Sequence, residues 1–243
     1  NILLILGVAA IIYPLVIQNS TIYSEIPYSI IAILLVAFVA NAALFRDLDT
    51  QIISRFDGAL LMLFFALFIS YIIKLARQGR ADMLEEAPEE ILPMGKSIGY
   101  ISLGMAGLFF GGRWVVDGSM QIASEFGLSE KLIGLTIVAI GTSLPELVTS
   151  AVAAYKKNTD IAVANVVGSN IFNLLWVLGV SAMISPLNFD TQLNSDIFVL
   201  LVASCLIIFS LATGKIKNQI GRPTGILFLV SYVSYIAFLV IRG

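Results

Sequence analysis

The chain has 243 residues, 58% of them hydrophobic and 12% charged, with a formal net charge of −2 and a mean hydropathy of +0.96. Soluble domains carry about 25% charged residues, so a soluble globule is excluded, and charges of both signs spread over the loops give no nucleic-acid footprint. Histidine is absent and Cys205 is the single cysteine, which removes imidazole metal ligation, Ser-His-Asp triads, an internal disulfide and any Cys-rich metal site.

A bilayer span needs roughly 20 mostly apolar residues. In chain order such stretches fall at 1–17 and at about 28–45, 57–75, 97–117, 131–155, 160–187, 196–213 and 224–241. The first is apolar from its first residue, with no initiator Met, basic n-region or small-residue cleavage site ahead of it. It reads as a helix cut in its middle, not as a signal peptide. The polar segment "RQGRADMLEEAPEEILPMGK" carries Asp82, Glu85, Glu86, Glu89 and Glu90. Without the spacing and turn glycine of a calcium loop, it reads as a solvated linker helix, not a calcium-sensing patch.

An internal repeat is visible. "NILLILGVAAIIYPL" (Asn1 to Leu15) lies on "NLLWVLGVSAMISPL" (Asn173 to Leu187), with Asn1 over Asn173, Gly7 over Gly179 and Pro14 over Pro186. Further along, "RFDG" (Arg55 to Gly58) lies on "RPTG" (Arg222 to Gly225). The second copy holds five spans, while the first supplies the last part of its third, a fourth and a fifth. An odd number of spans per copy sets the copies in opposite orientations, the inverted-repeat plan of many secondary transporters, with the substrate site at the midplane. The expected fold is therefore an all-α polytopic membrane protein, an inverted repeat of five transmembrane helices per half, with roughly the first two and a half helices absent from this chain. Its parts are the C-terminal portion of the first repeat at 1–76, an acidic cytoplasmic linker at 77–96 and a complete second repeat at 97–243. With the C-terminus outside, the cytoplasmic side collects Lys74, Arg77, Arg80, Lys96, Lys156, Lys157, Lys215, Lys217 and Arg222. The other side holds Arg46, Arg55, Arg113, Lys131 and Arg242.

The polar residues inside the apolar stretches carry the functional signal. A carboxylate within a span costs on the order of 2.5–3.5 kcal/mol on insertion scales, and Glu146 in "IGTSLPELVTS" is such a residue. Gly141 and Pro145 are expected to break the span into two half-helices, Pro145 by lacking an amide donor and disfavouring helix at Leu144. The break frees carbonyls around Val138 to Ile140, tolerated in a bilayer only where they face protein, water or an ion. With the Thr142 and Ser143 hydroxyls and the Glu146 carboxylate, every candidate ligand is oxygen, which suits Na⁺, Ca²⁺ or Mg²⁺. The next span offers "ANVVGSNIFN", in which Asn165, Ser169 and Asn173 recur every four residues on one helix face. Ser169 and Asn173 are expected to meet Glu146 in ion contact, whereas Asn165 and Asn170 read as interhelical glue. Arg113 and Asp117 read as an interfacial pair.

At "GTSLPEL" followed by "NVVGSNIFN", the sequence resembles the sodium/calcium exchanger branch of the cation/calcium antiporter superfamily, in particular its compact prokaryotic members, with these motifs as the second α-repeat at 139–173. The resemblance implies a ten-helix antiporter whose cation sites are lined by the broken helices of both repeats. It implies Glu146 as a calcium-binding glutamate, Thr142 and Ser143 as calcium or sodium ligands, Ala139 as a carbonyl donor and Ser169 on a sodium site. Asn173 stands where some relatives carry the aspartate associated with potassium co-transport, with Asn1 as its first-repeat counterpart. The implied function is secondary active Na⁺/Ca²⁺ exchange by alternating access, extruding Ca²⁺ across a prokaryotic plasma membrane. Ca²⁺ and Na⁺ are the transported ions and no organic cofactor is expected. An H⁺/Ca²⁺ exchanger of the same superfamily is the alternative. More distant are a structural half that assembles with a separate chain, and an intramembrane enzyme, for which no general base or oxyanion signature is present. One carboxylate does not neutralise Ca²⁺, so missing first-repeat helices are expected to complete the site.

Overall fold

The computed structural model describes residues 1–42, 51–82, 93–125, 139–214, 216 and 218–242, with backbone alone at 78–82, 123–124 and 139–140. The acidic linker carboxylates Glu85, Glu86, Glu89 and Glu90, together with Arg46, Lys131, Lys215 and Lys217, lie outside the described residues. The helices are α1 (Ile2–Ile12), α2 (Thr21–Ala40), α3 (Arg55–Asp82), α4 (Met94–Glu125), α5 (Ala139–Thr142), α6 (Leu144–Tyr155), α7 (Thr159–Ile184), α8 (Asn194–Thr213) and α9 (Arg222–Arg242). Among the described residues, Thr21–Ala40, Arg55–Arg77, Thr159–Ile184, Thr191–Thr213 and Arg222–Arg242 are long and apolar enough to cross a bilayer. The span expected from about 28 begins at Thr21 and ends at Ala40. The stretch expected at 97–117 is helical throughout α4, but Gly99, Gly104, Gly107, Gly111 and Gly112 dilute its apolar content.

Four strands of two residues join the helices, a feature the sequence reading lacks. Tyr13 and Ser185 each precede a proline, which disfavours the α region for the residue before it. Both are extended, at φ −146°, ψ 132° and φ −141°, ψ 127°. That stops α1 and α7 at matched points and sends the chain into β1 (Leu15–Val16) and β3 (Leu187–Asn188). β1 pairs antiparallel with β4 (Gln219–Ile220), and β3 with β2 (Ile52–Ile53), so each ribbon takes one strand from each copy. The ribbons are extended at equivalent places, Ile17 N donating to Asn218 O at 2.8 Å and Phe189 N to Gln51 O at 2.9 Å. Because α2 and α8 each run from one ribbon to the other, the ribbons sit at opposite faces of the bundle.

The helices cross reciprocally as well. α1 packs on α9, and the C-terminal half of α7 on α3. Gly58 and Gly179 meet at one crossing, where a Cβ on Gly58 would stand 2.7 Å from the Gly179 carbonyl oxygen; at the other, a Cβ on Gly225 would stand 2.9 Å from the Gly7 carbonyl oxygen. Arg55 donates to Ile184 O at 3.5 Å, and its counterpart Arg222 to Ile11 O at 3.1 Å. α2 and α8 bury equivalent positions, Ala32, Ile33, Val36 and Ala40 in one and Ala203, Ser204, Ile207 and Leu211 in the other. These reciprocal contacts define a pseudo-two-fold relating the copies, with Ile5, Leu6, Leu61, Ile171, Leu175 and Phe228 buried in the core.

Candidate cation site

The apolar segment containing Glu146 breaks where Gly141 and Pro145 predict. α5 ends at Thr142, Ser143 is a single turn residue at φ −92°, ψ −3°, and α6 begins at Leu144 with Pro145 in its first turn. Proline suits that place because the first amides of a helix have no intrahelical acceptor. Leu147 N donates to Ser143 O at 2.9 Å, the first bond of the new helix. α4 crosses the break closely: a Cβ on Gly141 would overlap the Val116 side chain, and Gly112 faces Pro145. On the same helix Arg113 and Asp117 pair at 3.5 Å with both side chains largely exposed.

Glu146 lies in the first turn of α6, which packs against α1 and the N-terminal half of α7. Its Oε2 is buried and has no hydrogen-bond partner among the described residues. A buried polar oxygen without a donor is costly. The contrast with Asp57 is direct. Asp57 is also buried, but its Oδ2 accepts from Ser54 N at 2.8 Å and Ser54 Oγ at 2.6 Å, while Ser54 Oγ accepts from Asp57 N at 3.3 Å. That is a capping box, legible as "SRFD".

Asn165 fixes the turn that carries Glu146. Its Nδ2 donates to Glu146 O at 3.1 Å and to Ser150 Oγ at 2.9 Å, and Ser150 Oγ donates to Ala162 O at 3.2 Å. Asn170 Nδ2 donates to Ser29 Oγ at 2.9 Å, tying α7 to α2. Both asparagines bridge helices; what the sequence did not reveal is that one of the bridges ends on the Glu146 backbone.

Of the other expected ligands, Ser143 is half-buried and Thr142 exposed at the break, and Ala139 opens the short α5. Asn1 is half-buried ahead of α1. Ser169 Oγ donates to Val166 O of its own helix at 3.1 Å, and Asn173 is exposed. Among the described residues no hydrogen bond links either to Glu146. Asn173 sits in a π-helical turn, Phe172–Val177, and Asn1 precedes its counterpart, Ile2–Leu6. Such wide turns recur at functional sites, and no sequence signal marks them here. No group of three or more His, Cys, Asp or Glu gathers among the described residues. The polar groups at the break are oxygen-bearing, with Glu146 as the carboxylate, and oxygen is what hard cations take.

The model of the family described as sodium/calcium exchanger protein matches residues 96–241. Inner membrane protein YrbG of Escherichia coli (strain K12) is 38% identical over 247 residues, an alignment covering 98% of this chain and 73% of that protein. Putative antiporter CaxA of Alkalimonas amylolytica is 37% identical, with 97% and 73% covered. A solved structure of the sodium-calcium exchanger NCX_Mj, soaked with zero Na⁺ and Ca²⁺, superposes with a TM-score of 0.72 at 30% identity, covering 97% of this chain and 71% of that one.

Proposed function

The chain belongs to the sodium/calcium exchanger family, a family of membrane cation/calcium antiporters, and from that premise we propose that it exchanges Na⁺ for Ca²⁺ by alternating access, extruding Ca²⁺. The observation that carries the reading is the buried, unpartnered Oε2 of Glu146 at a helix break. Glu146 is the calcium ligand. Thr142 and Ser143 contribute hydroxyl or carbonyl oxygens, Ala139 a carbonyl, and Ser169 a sodium contact, with Asn173 and Asn1 lining the two ends. Na⁺ and Ca²⁺ compete for these overlapping oxygens, and their occupancy licenses the switch. α4 is the moving element: it is exposed along most of its length and meets α5 and α6 at the break, so sliding it uncovers or covers Glu146.

A divalent ion calls for a second acidic group. The N-terminal half of α7 packs against α2 and β1, and their counterparts α8 and β3 line an apolar cavity of about 470 Å³, which supports a helix equivalent to that half of α7 as the carrier of this group. The orientation follows the charges. Lys156, Lys157 and Arg222 flank the β1–β4 face, where α3 also delivers Lys74 and Arg77, while Arg55 and Arg242 lie toward the β2–β3 face. The β1–β4 face is accordingly cytoplasmic in a prokaryotic plasma membrane, with the C-terminus outside.

The test is radiolabelled calcium uptake into proteoliposomes driven by a Na⁺ gradient, beside Glu146→Gln. Uptake that needs the gradient and the glutamate supports the reading. Uptake driven by a pH gradient and indifferent to Na⁺ replaces it with proton/calcium exchange.

A further inference from the structure

The pseudo-two-fold sets one intramembrane carboxylate over another. The register that lays Ala32, Ile33, Val36 and Ala40 on Ala203, Ser204, Ile207 and Leu211 lays Glu25 on Asp196, in "SEI" and "SDI". Asp196 is compensated. Its Oδ1 accepts from Tyr235 Oη at 2.9 Å and Arg242 Nη1 at 3.0 Å, and its Oδ2 from Arg242 Nη2 at 3.0 Å. The register of Arg55 on Arg222 puts Phe68 in place of Tyr235 and Leu75 in place of Arg242. Neither replacement offers a donor. Phe68 packs instead on Tyr28 of α2, ring centroids 5.1 Å apart.

Glu25 is half-buried and closes a π-helical turn, Thr21–Glu25, that packs against the N-terminal half of α7. Thr21 and Ser29 lie four residues before and four after Glu25. Thr21 and Ser29 are buried, the Thr21 hydroxyl lies beside the Glu25 carboxyl, and Ser29 is held by Asn170. The ionisable groups with described side chains on these elements are Tyr23 and Tyr28 on α2, Asp160 at the start of α7, Arg55, Asp57, Tyr71, Lys74 and Arg77 on α3, and Asp196 and Cys205 on α8. Asp160 Oδ2 accepts from Gln18 Nε2 at 2.8 Å, and among the described residues none of these groups forms an ion pair with Glu25.

A half-buried carboxylate without a cation partner is neutralised most readily by a proton. A metal ion needs about six oxygen ligands, and Thr21 with Glu25 supplies a hydroxyl and a carboxylate. We propose that Glu25 is a proton-binding site open to the β1–β4 face, separate from Glu146, which sets how tightly the turn Thr21–Glu25 packs on α7. With the proton bound, the neutral carboxyl stays among its apolar neighbours. With the proton released to water on that face, the charge draws solvent and loosens the turn. Acidification on that face therefore slows exchange.

The test has two arms, of which the transport arm alone rests on the exchanger reading. Infrared spectra of the protein in vesicles, recorded across a pH titration, are expected to show a carboxylic-acid carbonyl band that is lost in Glu25→Gln and kept in Asp196→Asn. In the transport arm, a pH change on the β1–β4 face alters the wild-type rate several-fold and leaves Glu25→Gln at the slow, acid-limb rate. An unchanged band in Glu25→Gln overturns the site, and an unchanged pH profile overturns its control of exchange. Loss of the band without Na⁺-driven uptake in any variant keeps the proton site and removes the exchanger reading. Should Glu25→Gln not fold, Glu25→Asp shifts the band's titration midpoint, and an unshifted midpoint overturns the proposal.

Discussion

Glu146→Gln separates a ligand from a structural carboxylate because the two roles predict opposite signs. No donor points at the buried Oε2, so an amide there breaks no hydrogen bond to that atom. A carboxylate at the centre of a span costs on the order of 2.5–3.5 kcal/mol. Glu146 is half-buried, and solvent screening lowers the cost to about 1–2 kcal/mol. The cation-free variant is expected to be more stable than wild type by that amount. With Ca²⁺ at a hundred times its dissociation constant, wild type gains about 2.7 kcal/mol by mass action, while the variant gains nothing, so the order of stability reverses. Thermal unfolding followed by tryptophan fluorescence, with chelator and then with calcium, reads both numbers. Asp57→Asn is the control: its carboxylate accepts two bonds from Ser54, so it loses about 1–2 kcal/mol of cap stabilisation with or without calcium. A Glu146→Gln variant that is less stable without cation, and that keeps the calcium shift, refutes the ligand assignment.

The same melting assay tests the frame. Gly58→Ala brings a Cβ to 2.7 Å from Gly179 O and 2.9 Å from Met183 N, both backbone atoms, and is expected to destabilise by about 1–3 kcal/mol. Gly99→Ala meets nothing within 4 Å and gains up to about 1 kcal/mol of helix propensity; equal effects of the two would remove the close-crossing argument. Asn165→Ala leaves Glu146 O and Ser150 Oγ without their donor and costs about 1–3 kcal/mol; it also shrinks the calcium shift, an effect that a purely structural bridge would not produce. Arg242→Leu costs about 1–3 kcal/mol, less than breaking a fully buried pair, because Arg242 and Asp196 are 16% and 19% exposed; an unchanged melting temperature means that Tyr235 alone satisfies Asp196.

What was legible in the sequence is what local chemistry controls. Pro145 predicted the break at Ser143 because a missing amide and the restriction on Leu144 act within one turn. Pro14 over Pro186 and Gly7 over Gly179 were legible as matches between the copies, but the helix ends at Tyr13 and Ser185 and the close backbone crossings they mark were not read from them. The ribbons were not legible. A two-residue strand has too little sequence to alternate, and the partner of β1 is β4, more than 200 residues away. The four-residue spacing set Asn165, Ser169 and Asn173 on one face, but nothing in it marked the π-helical turn at Phe172–Val177 or the bond from the Ser169 hydroxyl to Val166 O.

The two copies agree where the frame is built and differ where charge is handled. Glycine faces glycine at both crossings, arginine binds a carbonyl at the end of the facing helix in both copies, and the ribbons repeat their hydrogen bonds position for position. A frame built from two copies in opposite orientations presents similar packing to both sides of the membrane, so neither direction of opening is favoured by the frame alone. The two faces differ only at groups that break the correspondence. Glu25 lacks the Arg and Tyr that hold Asp196, which leaves an uncompensated carboxyl toward one face and a neutralised one toward the other. Such a difference makes the two faces respond differently to the solutions they meet, while the direction of any coupled exchange is set by the ion gradients themselves.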